Sequence, residues 1–495
     1  MNRPARSLLT CTAMVFMMPT SFPAGVSNSK DADAMPPGTT APVPSSGEMA
    51  RQLELMAKLH DHSFVDPDKS YTLPELVNLA QRHNPSTRMV WETAVQASAS
   101  TGMSEAQFYP TLTVESSYGG GYWNQTLTGA KSQSGIVVPV NFEDQASGDY
   151  TSLSAGVNLR YTLFDFGQRI ASVKASRQKQ DAAKLSFNAA NQQVTFQVTQ
   201  AYYTLETDRR LIATAEISAK SATDVLASTQ AKYDQGLLTE PALLQAKQAK
   251  AQADYDLVNA RSNWEVVRLN LIELIGAEPQ CGLRVTPYDF SRLNGRLVAP
   301  LDQFVQFTLK QKPDLLAKVA QAQAAEQSLR ATKASTLPQF SLKGVQSYQD
   351  FNTSITGAAI HNIGLSFQNY GGFVNVSWPF FDGGLNRNRV KEAAASWREA
   401  NEAVIQARDQ ALAEVWRAYT TARASLARKQ SADALVLASQ AAYDSLMESF
   451  NLGRTSIQDV LTARTALAQA MATQAQSDNA IAASLASLTY ASGQL

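Results

Sequence analysis

Cysteine is almost absent from this sequence, which has only Cys11 and Cys281 in 495 residues. Cys11 lies in an N-terminal apolar segment that we expect to be removed, and one remaining cysteine cannot form a disulfide within the chain. No charge of one sign is in excess, because 43 lysines and arginines balance 43 aspartates and glutamates. The sequence therefore lacks the basic surface that nucleic-acid binding requires, and no nucleic-acid partner is expected.

Long hydrophobic runs and catalytic motifs are also missing. No segment after the N-terminus approaches 18 uninterrupted apolar residues, so a membrane-spanning helix is not expected. The four histidines lack the spacing of metal ligands, and no hydrolase, zinc-protease or phosphate-binding motif is present. We therefore expect no enzyme activity, no metal and no cofactor.

The N-terminus has the pattern of an export signal. Arg3 and Arg6 precede an apolar segment that is too short to span a bilayer as a helix. Residues 1–27 are therefore predicted to be a signal peptide. A lipoprotein signal ending at Cys11 is an alternative, but the apolar segment mostly follows this cysteine instead of preceding it. Residues 28–70 are interpreted as a linker rich in proline, serine and threonine, followed by a short helix.

The rest of the sequence contains the same pattern twice. Pro85 and Pro313 occupy equivalent positions 228 residues apart, whereas Asp165 and Asp382 are 217 residues apart. The difference indicates an insertion of 11 residues in the glycine-rich stretch 115–150, where loops tolerate changes in length. The predicted domain organisation is a first repeat at 71–276, a linker at 277–300 and a second repeat at 301–495.

Each repeat contains one predicted pair of strands. Leu153, Val157 and Tyr161 alternate with polar residues such as Asn158 and Arg160, which is the period of a strand with one apolar face. The predicted strands are about ten residues long, enough to cross a bilayer when tilted. Alternation alone favours a soluble antiparallel sheet with one buried face over a membrane barrel.

Long helices flank the strands in both repeats. The two longest predictions, Gln168–Gln235 and Leu385–Leu452, each span roughly 100 Å at about 1.5 Å per residue. Helices of this length are typical of an elongated helical shaft and not of a globular domain. The shorter predictions, of about 35 residues each, are Leu73–Gln107, Glu240–Ile275, Leu301–Ser335 and Ile457–Ala491.

The strands end in the related motifs LFDFGQ and FFDGGLN. In the first motif, Asp165 is expected to cap the following helix in a capping box with Gln168. The glycines that follow each aspartate leave room for a tight turn. The predicted strand–helix junction therefore consists of Asp165, Gly167, Asp382, Gly383 and Gly384.

Two helix–turn–helix segments, KYDQGLLTEPALLQAKQA and SFNLGRTSIQDVLTARTAL, are also repeated. Gly236 and Gly453 are expected to end the first helix of each segment in a left-handed conformation. Thr239 and Ser456 are expected to cap the next helix, and Asp459 completes a capping box with Ser456.

Four strands per chain are too few to close a membrane barrel, which needs at least about eight. An open sheet edge in lipid is excluded because its backbone groups lack hydrogen-bond partners. Several chains would have to build such a barrel together, and eight, twelve or sixteen strands would all satisfy this requirement.

The duplicated layout, the junction motifs and the helix–turn–helix segments resemble the TolC-type outer-membrane efflux and secretion channels over about residues 71–493. The resemblance implies an α+β membrane protein in which a long α-helical coiled-coil barrel joins a transmembrane β-barrel. Each chain would contribute four strands, and the assembly would be a homotrimer. Its location would be the outer membrane of a Gram-negative bacterium, in contact with outer-membrane lipid and with most of the chain in the periplasm.

The implied function is that of a passive exit duct in a tripartite efflux pump or a type I secretion system. A periplasmic adaptor, fed by an inner-membrane pump, would open the channel by docking at its periplasmic tip. The alternative from another class is a structural coiled-coil protein of the cell envelope without a pore.

The resemblance also implies roles for residues of the two turns. Asp459 occupies the position of a family aspartate that lines the periplasmic constriction, a role compatible with capping, and Thr462 replaces a second family aspartate. Arg454 lies one position away from an arginine that closes the tip in some members. The residues implied in adaptor docking are Gly236, Leu237, Thr239, Gly453, Arg454, Thr455 and Ser456.

Overall fold

The computed structural model describes Arg51 and residues 64–129, 132–133, 136–137, 142–290, 300–354 and 362–495. The chain divides into two units, Met1–Asp61 and His62–Leu495, and of the first unit only Arg51 is described. The predicted signal peptide and most of the predicted linker that follows it therefore lie outside the described residues.

Both repeats run from two short helices through a pair of long strands to two long helices. The elements of the first repeat are β1 (Ser70–Tyr71), α1 (Leu73–His83), α2 (Pro85–Ala106), β2 (Thr111–Gly129), the short β3 (Ser132–Gln133) and β4 (Ile136–Val137), β5 (Phe142–Phe164), α3 (Gln168–Asp234) and α4 (Glu240–Ile275). The second repeat follows with β6 (Arg284–Val285), α5 (Leu301–Gln311), α6 (Pro313–Ala334), β7 (Gln339–Ser354), β8 (Asn362–Ser377), α7 (Leu385–Asn451) and α8 (Ile457–Ala491). The predicted long helices are confirmed to within one residue at each end.

The prediction of one continuous helix through Pro85 and another through Pro313 is wrong, because two separate helices are found in each place. Asn84 and Lys312 are extended, with ψ angles of 124° and 114°, and each one separates two helices. Proline lacks the N–H that a continuous helix needs, and its ring disfavours the helical conformation in the residue before it. At the first break, the side chain of Asn84 accepts a hydrogen bond from Ser86 N at 2.8 Å and so caps α2.

The C-terminal ends of α4 and α8 pack against these two breaks. Gly276 and Gly493 both have a φ of +74°. A Cβ atom at Gly276 would lie 2.7 Å from the carbonyl oxygen of His83, and one at Gly493 would lie 2.9 Å from Cα of Lys312. Glycine is favoured at both positions because the left-handed conformation is strained for other residues and the close backbone leaves no room for a Cβ atom.

The largest hydrophobic core surrounds the middle of α3. Val198 and Tyr202 of α3 pack there with Leu76 of α1 and Leu271 of α4, and all four are buried. The second repeat has a smaller core of equivalent residues 217 positions later, namely Val415, Tyr419 and Leu488. The repeated sequence therefore produces a repeated core.

The boundary between the predicted N-terminal linker and the first repeat pairs with the predicted linker between the repeats. Strand β1 lies parallel to β6, with Tyr71 opposite Val285. The hydroxyl of Tyr202 donates a hydrogen bond to the carbonyl oxygen of Thr286 at 2.9 Å, which ties this strand pair to α3.

The long strands form one antiparallel sheet in the order β2-β5-β7-β8. The predicted strand length of about ten residues is wrong, because these strands contain 19, 23, 16 and 16 residues. Glycines 119–121 interrupt the side-chain alternation of β2 without interrupting its backbone pairing with β5. The alternation of side chains therefore underestimates the length of β2, because backbone pairing continues through residues that have no side chain to alternate.

The register of the sheet confirms the predicted apolar face in the part of the strands nearest to the helices. Val114 lies opposite Val157, Tyr161 opposite Leu342, and Leu342 opposite Val374. The other face is less polar than predicted, because Phe373 lies there in register with Lys343. Strand β8 therefore carries large apolar side chains on both faces.

The helices pack lengthwise around α3 and α7. Helix α3 contacts α2, α4, α6 and α8, and α7 contacts α6 and α8. Each of the two longest helices contains 67 residues. Within the described parts of the chain, no helix is both long enough and apolar enough to span a membrane.

Candidate functional site

The two helix turns have the same backbone hydrogen bonds. After α3, Gly236 N donates to Tyr233 O at 2.8 Å and Leu237 N donates to Lys232 O at 2.9 Å. Gly453 and Arg454 repeat both bonds after α7. This pattern satisfies the last carbonyl groups of a helix and requires a left-handed residue at the turn. The predicted left-handed glycines are confirmed, with φ angles of 72° and 73°.

The caps of the helices that follow these turns differ. Ser456 Oγ accepts a hydrogen bond from Asp459 N at 3.2 Å, and the predicted capping box at the start of α8 is present. Thr239 is the N-cap residue of α4, which confirms the predicted position, but its side chain does not make the capping hydrogen bond that was expected. The position three residues later is Ala242, which has no carboxylate to hold the Thr239 backbone N–H in return.

The carboxylate of Asp459 is held by the residues immediately before it. Its Oδ2 accepts hydrogen bonds from Ser456 Oγ at 2.6 Å, Thr455 Oγ1 at 2.9 Å and Ser456 N at 3.2 Å. These bonds, above all the one from the Ser456 hydroxyl, lower the pKa of Asp459 below its ordinary value. Asp459 and Thr462, one helical turn apart, are both exposed, so α8 presents a polar face with a fixed negative charge near its start.

The two turns are held next to each other by a small hydrophobic cluster. Phe450 at the end of α7 packs with Ile457 and Val460 of α8, and Leu238 of the first turn packs against them. Lys232 Nζ donates a hydrogen bond to Phe450 O at 2.6 Å and lies 3.8 Å from the centre of the Phe450 ring. These contacts place the two turns next to each other, and they are made by Leu238, Phe450, Ile457 and Val460 and not by the residues predicted for the site. The contact of Lys232 with Phe450 was also missed by sequence reasoning.

The strand–helix junctions lie at the opposite ends of α3 and α7. Asp165 Oδ1 accepts from Gly167 N at 3.2 Å, and Asp165 Oδ2 accepts from Arg169 N at 3.1 Å and Arg169 Nε at 2.8 Å. The predicted capping box with Gln168 is wrong, because Gly167 is the N-cap and Gln168 is the first residue of the helix. Two residues, Phe166 and Gly167, separate Asp165 from the helix, and both have a left-handed backbone.

The second junction repeats this geometry without the ion pair. Asp382 accepts hydrogen bonds from Gly384 N at 3.0 Å and Asn386 N at 2.9 Å. Gly383 and Gly384 supply the two left-handed residues. Asn386 replaces the arginine of the first junction, so the second junction is held by backbone N–H groups of the turn and helix.

Two charged side chains on the buried face of α8 were not predicted. Asp478 is 3% exposed and pairs with Arg210 of α3 at 2.5 Å and with Lys429 of α7. Arg464 is 8% exposed and donates to Ser218 of α3. Both residues could have been predicted from their spacing along α8, because they occupy positions of the helix that are otherwise filled by apolar residues.

Nothing in this arrangement has the geometry of a metal site. No group of three or more histidine, cysteine, aspartate or glutamate side chains within the described residues could hold a metal ion. The turns offer instead an exposed carboxylate, exposed hydroxyls and an apolar cluster at the end of a long helical shaft.

Comparison with known proteins identifies the family. The model of a family described as outer membrane efflux protein matches residues 76–277 and 304–494. Protein CyaE of Bordetella pertussis is 26% identical over 365 residues, which cover 72% of this chain and 70% of that protein. Outer membrane efflux protein BepC of Brucella suis is 23% identical over 353 residues, which cover 70% of this chain and 74% of that protein.

Among solved structures, the outer-membrane channel OprN is similar with a TM-score of 0.70 at 19% sequence identity, covering 87% of this chain and 94% of that one. This likeness shows a shared fold. The family match covers both repeats, from α1 to the end of α4 and from α5 to just beyond α8. The chain therefore belongs to the outer membrane efflux protein family.

Proposed function

We propose that this chain forms the outer-membrane exit duct of a tripartite efflux pump or a type I secretion system, as a passive homotrimeric channel. The observation that carries the proposal is a four-stranded sheet attached directly to two helices of 67 residues. Such helices span roughly 100 Å at about 1.5 Å per residue. Membership of the outer membrane efflux protein family supports this reading of the architecture.

The edges of the sheet favour assembly from several chains. Strands β2 and β8 form its two edges, and neither has a second neighbour within the described residues. Exposed apolar side chains lie on both edge strands, including Val114 at 76% and Val374 at 66% exposure. In lipid, an unpaired edge leaves backbone groups without partners. Three copies joined edge to edge would close a barrel of twelve strands, with most of each chain below it in the periplasm.

The two helix turns are the proposed periplasmic end of the duct. Asp459 and Thr462 form the proposed constriction, where a threefold axis would gather three exposed carboxylates. Negative charges around a narrow mouth concentrate cations. The residues proposed for docking of a periplasmic adaptor are Gly236, Leu237, Thr239, Gly453, Arg454, Thr455 and Ser456. An inner-membrane pump bound through the adaptor supplies the energy that a passive duct lacks.

Single-cysteine labelling tests the barrel. In a background with Cys281→Ser, cysteines at Val157 and Tyr161 should react with membrane-soluble reagents. Cysteines at Asn158 and Arg160 should react with water-soluble reagents, because successive residues of a strand point to opposite faces. Light scattering of the same protein in detergent should give a trimer. Equal labelling of both faces, or a monodisperse monomer, would contradict the proposal and favour a structural protein without a pore.

A further inference from the structure

A cavity of about 230 Å³ lies between α3, α7 and α8. A single water molecule needs about 10–15 Å³ of such space, so the cavity is large enough for a small organic molecule. Its α8 side is mostly apolar, with Leu467, Ala468 and Met471 beside Arg464, the one charged side chain of the lining. Its α3 side combines Ile217 with the hydroxyl groups of Thr214, Ser218 and Ser221, and α7 adds Tyr443. Ile217 is 55% exposed, so the cavity opens to the surface of the chain.

Arg464 is buried in this wall without a counter-ion. Its Nη1 donates to the carbonyl oxygen of Ser218 at 3.2 Å and to Ser218 Oγ at 3.1 Å. Its Nε is buried and has no hydrogen-bond partner in the described part of the chain. Asp256 acts on Arg464 through its charge, but within the same residues no carboxylate accepts a hydrogen bond from this guanidinium. Burial lowers the pKa of this guanidinium, and Tyr443 and Asp256 offset only part of the effect.

The other buried charge on α8 shows how unusual this is for the protein. Asp478 is compensated by two cations, Arg210 and Lys429. The hydroxyl of Tyr443 shares a hydrogen bond with Ser221 Oγ at 2.7 Å, so it is already engaged. An uncompensated buried charge is costly unless a partner reaches it. The missing partner of Arg464 is therefore an anion, and the cavity is the space through which it can arrive.

We propose that this cavity binds a small amphipathic carboxylate, with Arg464 as the residue that holds the carboxylate. A guanidinium offers adjacent N–H donors in a plane, the arrangement that matches the two oxygens of a carboxylate. Leu467, Met471 and Ile217 receive the hydrocarbon part of the ligand. Hexanoate, which joins one carboxylate to a short hydrocarbon chain, is the probe that matches this combination of groups. This site is distinct from the proposed constriction and does not rest on the proposed function.

Saturation-transfer NMR with hexanoate, using the full-length mature protein in lipid nanodiscs, tests the proposal. The wild type should give a saturable hexanoate signal, and Arg464→Met should weaken binding by about tenfold or more. Arg428→Met, which changes an exposed arginine of α7, should leave binding unchanged. Ala468→Met keeps Arg464 but fills the cavity, so it should also weaken binding. Hexanol and acetate, which each lack one half of the ligand, should compete poorly.

Heat unfolding provides an independent readout. Arg464→Met should raise the midpoint of unfolding, because it removes a buried charge without a partner. Hexanoate should raise the midpoint of the wild type and leave that of Arg464→Met unchanged. Equal hexanoate binding by wild type and Arg464→Met would overturn the proposal, as would competition by hexanol as strong as by hexanoate. Arg464-dependent binding of an acidic peptide in the absence of hexanoate binding would also overturn it, in favour of a protein partner.

Discussion

The turn between α3 and α4 and the turn between α7 and α8 share their backbone, with Gly236 and Gly453 both left-handed. Their side chains differ, because Ser456 and Asp459 form a capping box whereas Thr239 makes no capping hydrogen bond. A turn that forms without these side-chain bonds shows that the fold does not require them. Both following helices have an acid in their first turn, Glu240 in α4 and Asp459 in α8, but only Asp459 is part of a capping box.

The strand–helix junctions differ in the opposite sense. Asp165 is buried and paired with Arg169, whereas Asp382 is half-buried and bonds only to backbone N–H groups. The first repeat thus has the stronger junction, and the second repeat has the stronger cap at the turn. Substitutions at equivalent positions should reveal this division.

The largest effect is expected at the glycines that pack against the helix breaks. Gly276→Ala and Gly493→Ala each add the strain of a left-handed alanine, about 1–2 kcal/mol, and a backbone clash worth about 1–3 kcal/mol. The midpoint of heat unfolding, followed by circular dichroism at the helix signal, should fall clearly for both variants.

Gly236→Ala and Gly453→Ala are the matched controls for these two substitutions. No atom lies within 4 Å of a Cβ built at either position, so only the strain remains. Equal losses at all four glycines would show that the packing of α4 and α8 against the breaks contributes nothing.

The second effect concerns the junction aspartates. Asp165→Ala removes the ion-pair partner of Arg169, whose side chain is only 13% exposed. Because a poorly hydrated charge then loses its counter-ion, the free energy of unfolding should fall by about 3 kcal/mol. Asp382→Ala removes a cap and should cost about 1 kcal/mol. Urea unfolding of the two variants measures both values, and an equal cost would mean that the ion pair is without consequence.

The third effect concerns the caps of the helices after the turns. Ser456→Ala should cost about 1 kcal/mol and raise hydrogen exchange of the first turn of α8 by about fivefold. Thr239→Ala should change exchange at the start of α4 very little, because no capping bond is lost. Mass spectrometry of the two peptides gives this comparison within one experiment, and equal changes would contradict it.

The smallest effect is a pH dependence confined to the second turn. Hydrogen bonds from Ser456 and Thr455 lower the pKa of Asp459, so its stabilising contribution is complete above the ordinary value of 3.8. This contribution is lost as the pH falls through the lowered pKa of the folded state. Exchange protection at the start of α8 should therefore be constant from pH 7 to pH 5 and decline only below 3.8. Protection at the start of α4, where Ala242 replaces the capping-box acid, should show no step from the loss of a capping box, although Glu240 lies in the same helical turn.

Local features of the fold could be predicted from the sequence. The long helices contain few interrupting residues, and the turn glycines are placed by the left-handed conformation that each turn requires. The helix breaks at Asn84 and Lys312 were missed because proline is also compatible with the first position of a helix, so the helical pattern continues on both sides. The length of the strands was missed because backbone pairing continues where side-chain alternation stops.

Only those contacts of the candidate site that join residues close in sequence could be predicted. The bonds of Asp459 join residues at most four positions apart, so the sequence indicates them directly. The contact of Lys232 with Phe450 joins residues 218 positions apart, and that of Arg464 with Ser218 joins residues 246 positions apart. Such pairs depend on how the helices of the two repeats pack, which no short sequence pattern encodes.

Planar-bilayer recordings of wild type, Asp459→Asn and Ser456→Ala test most directly whether the second turn forms the mouth of a channel. Asp459→Asn removes the charge but keeps an oxygen that can accept from Ser456, and Ser456→Ala weakens the cap but keeps the charge. The wild-type protein should conduct, favour cations and be blocked by a trivalent cation from the periplasmic side. Asp459→Asn should lose both selectivity and block, and Ser456→Ala should retain both. Unchanged block in Asp459→Asn, or no conductance in the wild type, would contradict the account.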